Sequence, residues 1–388
     1  MNFATLNGTN LHYRSDGDTQ GTPLVLIHSL GTDLRLWDDL IPHLDPALRV
    51  VRLDLRGHGL SADPAGELAL VDFSTDIAAL LDHLEIDKAI ILGISIGGLI
   101  ALDFALRNQE RVSSLILADT AARIGTTEFW QTRMDTLRAH GMEHLADSIL
   151  ARWFAPDFAT RCPVQFQGLR TLFNRNSVAG YNAACAVLRD ADLRTEVSQI
   201  TVPALVLCGA QDAATPPDVV QELAESLPSA HFAVLPGSGH TPPIEQPQIM
   251  ADQINAFLRA HRTVGDIYEQ GMKIRREVLG DAHVDQAEVN KTSFDADFQR
   301  FITETAWGSV WARPGLDRRT RHLLTLAMLA ALGKEHEFAM HVRASRNTGV
   351  TMDEIKEVLL QVAVYAGVPA ANSAIAAAKR VIAEFEEK

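Results

Sequence analysis

The chain has 388 residues, 47% of them apolar and 22% charged, with a net charge of −14. So acidic a chain repels polyphosphates and anionic lipid, which argues against nucleic acid or a membrane as partner. Three cysteines, Cys162, Cys185 and Cys208, show no paired spacing. Neither a disulfide framework nor a thiolate metal site is therefore expected, and the cytoplasm is the expected compartment. The start, MNFATLNGTNLHYRSDGD, has no cationic segment followed by an apolar core, so no leader peptide is expected.

In chain order, LHYRSDG and PLVLIHSLG read as early strands, and RVVRLDLRGHGLS as a strand running into a glycine-rich turn. FSTDIAALLDHLEI sets Ile77, Leu80, Leu81 and Leu84 at helical spacing. AIILGIS is an apolar strand with the helix IGGLIALDFALR behind it, and VSSLILAD and VPALVLCGAQD are further buried strands. Apolar strands alternating with helices predict a mostly parallel sheet covered on both faces. From about 120 to 200 the strand signals stop, and segments such as WQTRMDTLRAHGMEHLADSILARWF predict a helical lid. After His261 the chain reads as helices alone: RRTRHLLTLAMLAALG, EHEFAMHVRASRNTG and TMDEIKEVLLQVAVYAG, each ended by glycine. Thr351 and Glu354 fit a capping box. The expected division is a sheet domain at 1–262 and an all-α bundle at 263–388.

Gly93-Ile94-Ser95-Ile96-Gly97 has the form G-x-S-x-G between a strand and a helix. Small flanking residues permit the sharp corner that lifts a serine above the sheet. A serine hydroxyl attacks well only when a base takes its proton, and the base needs an acid to fix its tautomer. Asp212 follows the strand VPALVLCGAQ, and His240 lies in the turn PGSGH, giving the order Ser, Asp, His. His231 and His261 are the rival histidines in poorer contexts, and His58 in RGHG reads as a turn residue. The backbone N–H groups of Leu30 and Ile96 are the expected oxyanion donors, each worth about 3 kcal/mol of transition-state stabilisation. Trp130, Arg133, Arg152 and Trp153 of the lid are candidate substrate contacts, with lid packing as the plainer reading.

HSLG, DLRGHGLS, GISIGG, GAQD and GSGH, in that order, resemble the α/β-hydrolases over about Leu11 to Leu258. AGYNAACAVLRDADLRTEVSQITVPALVLCGAQDAATPP is similar to the enol-lactonases among them, although GSGHTPPIEQP departs from their usual histidine segment. In the helical part, Glu337 and His341 stand four residues apart and share a helix face. A surface ion pair fits that spacing as well as an active-site pair does. Arg313, Arg318, Arg319 and Arg321 cluster just upstream, as a solvated face or as a carboxylate clamp. AWGSVWARPGLDRRTR and QVAVYAGVPAANSA resemble the 4-carboxymuconolactone decarboxylases, an AhpD-like bundle family. HEFAMH lacks the C-x-x-C of peroxidase relatives, so disulfide-based peroxide reduction is excluded.

The resemblance implies His341 and Glu337 as active-site groups, a fused decarboxylase and enol-lactonase of the protocatechuate branch of the β-ketoadipate pathway, small carboxylate-bearing lactones as substrates, no cofactor or metal, and self-association through the helical domain. The alternative is a carboxylesterase carrying a non-catalytic helical oligomerisation module.

Overall fold

The computed structural model of the protein describes residues 1–19, 21–261, 264–313 and 315–386. The chain divides into two compact units, Met1–His261 and Arg262–Lys388. The expected boundary at 262/263 lies outside the described residues.

The first unit is built on an eight-stranded sheet. Its spatial order is β1 (Asn2–Leu6), β2 (Thr9–Gly17), β4 (Leu48–Leu53), β3 (Thr22–Ile27), β5 (Ala89–Ile94), β6 (Val112–Ala118), β7 (Ala204–Gly209) and β8 (Ala230–Leu235). β1 and β2 form an antiparallel hairpin, and β2 runs antiparallel to β4. The other pairs are parallel. β1 was not among the expected strands, because NFATL buries only Leu6 and carries little apolar signal. Alternate side chains divide between two cores, as a strand's period of two requires. Val25, Ile27 and Ile91 enter one core with α1 (Leu70–His83) and α2 (Ile96–Arg107). Leu24, Leu26, Ile90 and Leu92 enter the other, which the last helix of the unit, at Pro247–Ala260, covers with Met250, Ile254 and Phe257.

After β3 the chain returns to one side of that strand as β4 and then crosses to the other as β5. The carboxyl ends of β3 and β5 therefore flank the crevice where open α/β sheets bind ligands. Between β6 and β7 stand four helices: α3 (Thr127–Trp153), α4 (Phe158–Arg161), α5 (Pro163–Asn174) and α6 (Val178–Asp190). α3 is broken at Gly141, whose φ of 75° lies where glycine is at ease. The unit ends with α7 (Pro217–Ser226), the short α8 (Pro242–Glu245) and α9 (Pro247–Ala260).

The second unit is helical: α10 (Val264–Leu279), α11 (Asp281–Asn290), α12 (Ala296–Ile302), a π-helical run Thr303–Trp311, α13 (Arg318–Ala331), α14 (Glu335–Thr348), α15 (Met352–Tyr365) and α16 (Val368–Glu386). Leu326 and Ala330 of α13, Phe338 and Val342 of α14, Ile355 and Leu359 of α15, and the alanines of α16 make its main core. Gly349 ends α14 in the left-handed region, and Thr351 and Glu354 close the capping box of α15. The π-helical run was not foreseen. Two glycines bring it backbone to backbone with α10. A Cβ on Gly271 would lie 2.2 Å from the Thr303 carbonyl oxygen, and one on Gly308 would lie 2.2 Å from that of Ile267. Among the described residues no helix is long and apolar enough to cross a membrane.

Gly271→Ala is therefore expected to destabilise this helical unit by about 2–4 kcal/mol, the range of overpacked sites. Scanning calorimetry checks this, with Gly315→Ala as control, because a Cβ there meets nothing within 4 Å.

Candidate active sites

The fully buried strand β5 runs straight into Ser95, which has φ 58° and ψ −121°. A non-glycine residue in that region is strained and persists only where its surroundings force it. Here they do. A Cβ on Gly93 would lie 2.0 Å from the Gly97 carbonyl oxygen, and one on Gly97 would lie 2.1 Å from that of Ile27. Thr120 Oγ1 donates to the Ser95 carbonyl at 2.7 Å and pins it further. Ser95 consequently stands at the N-terminus of α2, where free N–H groups and the helix dipole favour negative charge.

His240 Nδ1–H donates to Asp212 Oδ2 at 2.8 Å, and both side chains are buried. Asp212 also accepts from Ala214 N–H at 2.7 Å, Thr215 N–H at 3.0 Å and Thr215 Oγ1–H at 2.7 Å. Burial alone would raise its pKa, but His240 and these donors hold it below the ordinary carboxylate range. The histidine loop is tied down separately. His240 N–H donates to the Trp153 carbonyl at 2.7 Å. The buried Glu245 accepts from Gly239 N–H at 2.9 Å and from Ala155 N–H at 2.7 Å. Glu245 thus joins the histidine loop to the segment that follows α3, and it is the acid of the EQP sequence.

Leu30 follows β3 in a loop that turns at Gly31, with φ 76°. His28 holds that loop: its Nδ1–H donates to the Ser29 carbonyl at 2.8 Å, and its Nε2 accepts from Leu55 N–H at 2.9 Å. Both contacts require a neutral ring, and burial pushes the His28 pKa down accordingly. His58 packs edge-on to His28, and its pKa falls to about 3 through burial and that neighbour.

A pocket open to solvent is lined by Ser95, His240 and Leu30 together with Trp130, Arg133 and Trp153. Ile96 is buried just beyond Ser95 and leads into α2. Arg152, Phe129 and Tyr181 complete the lid side of the pocket. Arg133 lies over the rings of Phe129 and Trp130, at 4.6 and 4.7 Å. Burial and the neighbouring Arg133 lower the Arg152 pKa. Among the described residues neither arginine forms an ion pair with a carboxylate.

Two groups here escaped the sequence reading. Thr215 is one, because its part depends on the fold of the turn after Asp212. Asp119 is the other. It directly follows β6, is fully buried, and accepts from Gly209 N–H at 2.7 Å, while its second oxygen has no hydrogen-bond partner among the described residues. Ligand atoms of Asp119, Cys208 and Asp212 lie within 4.8 Å of one another. Burial, and after it the Asp212 charge, raise the Asp119 pKa well above its ordinary value. The Cys208 thiol is likewise pushed up by burial and by the two acids.

In the helical unit, His341 of α14 does not pair with Glu337. Glu337 lies in the first turn of α14 and is exposed, and among the described residues its carboxylate has no hydrogen-bond or ion-pair partner. His341 turns inward instead. Its Nδ1 lies 3.1 Å from Nε2 of His322 on α13, and His322 Nδ1 lies 2.6 Å from Thr348 Oγ1. Spacing of i, i+4 gives a shared face but does not decide which side chain is buried. His322 sits nineteen residues upstream, so no local pattern links it to His341. Burial lowers both histidines to about 4. Trp311 of the π-helical run stacks toward His341, with ring centroids 6.4 Å apart and planes 17° apart. Arg318 is ion-paired with Glu277 and Arg319 with Glu354. Arg321 donates to the Arg313 carbonyl at 2.8 Å, while the Arg313 side chain is exposed.

A serine at a strained strand–helix corner, with an Asp-held histidine in the loops after later strands of a mostly parallel sheet, defines the class of α/β hydrolases. Comparison with known proteins agrees. Residues 22–247 match the model of the alpha/beta hydrolase fold, and residues 296–380 match that of the carboxymuconolactone decarboxylase family. The chain is 35% identical over 255 residues to 3-oxoadipate enol-lactonase 2 of Acinetobacter baylyi, covering 66% of this chain and 95% of that protein. It is 51% identical over 118 residues to 4-carboxymuconolactone decarboxylase of the same organism, covering 30% of this chain and 88% of that protein. The enol-lactonase structure from Burkholderia xenovorans LB400 superposes with a TM-score of 0.65 at 38% identity, over 66% of this chain and all of that one. The chain belongs to the α/β-hydrolase family and carries, after that domain, a member of the carboxymuconolactone decarboxylase family.

An acid whose pKa is raised by folding takes up a proton as the chain folds, and this costs stability once the pH exceeds the unfolded pKa of about 4. Asp119→Asn mimics the neutral acid without that cost. Its Tm advantage over wild type is expected to grow as the pH rises above about 4. A Tm difference that does not change with pH would mean that Asp119 is ionised in the folded protein.

Proposed function

We propose that the chain carries out two consecutive steps of aromatic-acid breakdown: decarboxylation of 4-carboxymuconolactone in the helical unit and hydrolysis of the resulting 3-oxoadipate enol-lactone in the sheet unit. The named relatives of the two units support the pairing. The observation that carries the hydrolytic half is the common pocket of Ser95 and His240 with the guanidinium groups of Arg133 and Arg152, neither of which forms an ion pair among the described residues.

In the hydrolytic step Ser95 Oγ attacks the lactone carbonyl as His240 Nε2 takes its proton, and Asp212 stabilises the imidazolium that forms. The N–H groups of Leu30 and Ile96 receive the oxyanion. The ring C–O bond then breaks, and the enol released becomes a ketone, which pulls the step forward. Water activated by His240 cleaves the acyl-enzyme. Arg133 and Arg152 bind the acetate arm between the aromatic walls of Trp130 and Trp153, because a guanidinium fork matches a carboxylate.

In the decarboxylation the substrate is its own electron sink. The carboxylate leaves a ring carbon conjugated to the lactone carbonyl, and the electron pair spreads into a furan-like enolate. The protein supplies cations for the negative charge and an acid for the ring, roles assigned to Arg313 or Arg321 and to His341. Arg318 and Glu337 are weaker candidates, the first being tied to Glu277 and the second exposed and turned away from His341.

The helical unit self-associates in this reading, in the cytoplasm. Leu324, Met328 and Leu332 form an exposed stripe along α13, and Leu360 and Val364 form another on α15. Contiguous exposed apolar residues are a feature of association surfaces.

With 4-carboxymuconolactone, Ser95→Ala is expected to accumulate enol-lactone, and His341→Ala to leave the starting acid unconsumed, both read by product analysis. Arg133→Gln should raise KM for enol-lactone about tenfold or more, the worth of a charge-assisted hydrogen bond, with kcat nearly unchanged. A neutral aryl acetate should show no such change; equal losses on both substrates would favour a general esterase. Light scattering should find an oligomer that the double change Met328→Lys, Leu332→Lys dissociates.

A further inference from the structure

Glu337 leaves His341 without the carboxylate expected to orient it, yet His341 does not stand alone. Thr348 Oγ1, His322 Nδ1, His322 Nε2 and His341 Nδ1 form one line of hydrogen bonds, with steps of 2.6 and 3.1 Å. His322 is wholly buried and His341 nearly so. The far ring nitrogen, His341 Nε2, has no protein partner among the described residues and is not sealed from solvent. It is the open end of the line. Thr348 Oγ1 can spend its own proton on the Ser345 carbonyl, 3.3 Å away, and so accepts from His322 Nδ1–H.

We propose, resting on the decarboxylase reading, that His322 is the positioning residue of a two-histidine proton relay that ends at His341 Nε2 and protonates the substrate ring. Loss of carbon dioxide consumes one proton overall, and the pair holds that proton. In the charged pair His322 carries protons on both nitrogens, donating to Thr348 and to His341 Nδ1, and His341 carries its proton on Nε2. The C–C bond to the leaving carboxylate breaks, and its electron pair enters the ring. The Nε2–H bond of His341 then breaks and a C–H bond forms at the ring carbon beside the lactone carbonyl. As it does so, the His322 Nε2 proton crosses to His341 Nδ1. The neutral pair that remains keeps every hydrogen bond: His341 Nδ1–H now donates to His322 Nε2, and His322 Nδ1–H still donates to Thr348. No imidazolate or alkoxide forms, and the positive charge vanishes where the substrate's charge is quenched.

Burial keeps the free pair neutral, each ring being lowered to about 4, so the extra proton enters with the dianionic substrate. The other titratable group acting on His341 is His283 of α11, itself lowered by burial and by Arg275 of α10. Both neighbours are basic and oppose charging the pair in the absence of an anion.

The test is carbon dioxide release from 4-carboxymuconolactone by the full chain in mixtures of H2O and D2O. A curved proton inventory for wild type, with two protons in flight, is expected. His322→Gln can still donate to His341 Nδ1 but cannot pass a proton on. It should keep KM within about twofold, lose kcat by about 100-fold or more and give a linear inventory. A linear wild-type inventory, or full kcat in folded His322→Gln, overturns the relay. If His322→Gln fails to fold, the wild-type inventory decides alone. Absence of carbon dioxide release by wild type would overturn the decarboxylase reading itself, a result distinct from either of these.

Discussion

The hydrolase half depends on one close approach. Ser95 takes a left-handed backbone conformation because Gly93 and Gly97 let β5, α2 and the end of β3 touch where side chains would collide. The same contact places the loop carrying Leu30 beside the serine, since that loop begins where β3 ends. Ser95 and Leu30, the proposed nucleophile and one proposed oxyanion donor, are thus positioned by a single packing constraint. The strain at Ser95 is offset by the burial of β5, all of whose residues are enclosed.

Burial is put to opposite uses around this corner. Asp212 stays ionised although enclosed, because a histidine and three donors surround its oxygens. Asp119, close by, has one donor, and burial with its charged neighbour drives its pKa up. Two carboxylates in one pocket of low dielectric cannot both ionise cheaply, and the number of donors decides which one does. The outcome leaves the charge on the acid that faces His240.

The sequence made the hydrolytic site legible because that site is written in local motifs. G-x-S-x-G, the acid at the end of an apolar strand and the histidine in a glycine-rich turn each carry their geometry within a few residues. Trp130, Arg133 and Trp153 were legible only as candidates, and their place in the pocket depends on how α3 bends at Gly141. Asp119 gave no signal beyond its position at a strand end, since its raised pKa arises from burial in the fold and from a neighbour ninety-three residues away. In the helical unit the local signal misdirected. Glu337 and His341 share a face by spacing, but the dipole and the solvent draw the glutamate outward while the histidine meets His322 from another helix. The π-helical run was equally invisible, because it follows from glycines on two segments that meet only in the fold.

The two chemistries place different demands on histidine. The hydrolase needs a base that gains a proton and holds it briefly, so it sets an ionised carboxylate behind His240. A fixed negative charge there stabilises the imidazolium of the transition state. The decarboxylase needs an acid that gives a proton away and is left neutral. A carboxylate behind His341 would oppose that by favouring the charged ring. A second neutral imidazole does not, and it can take up the charge in turn. In the proposed relay the exposed position of Glu337 and the buried position of His322 are therefore two aspects of one requirement: behind His341 stands a group that can carry a proton and holds no standing charge.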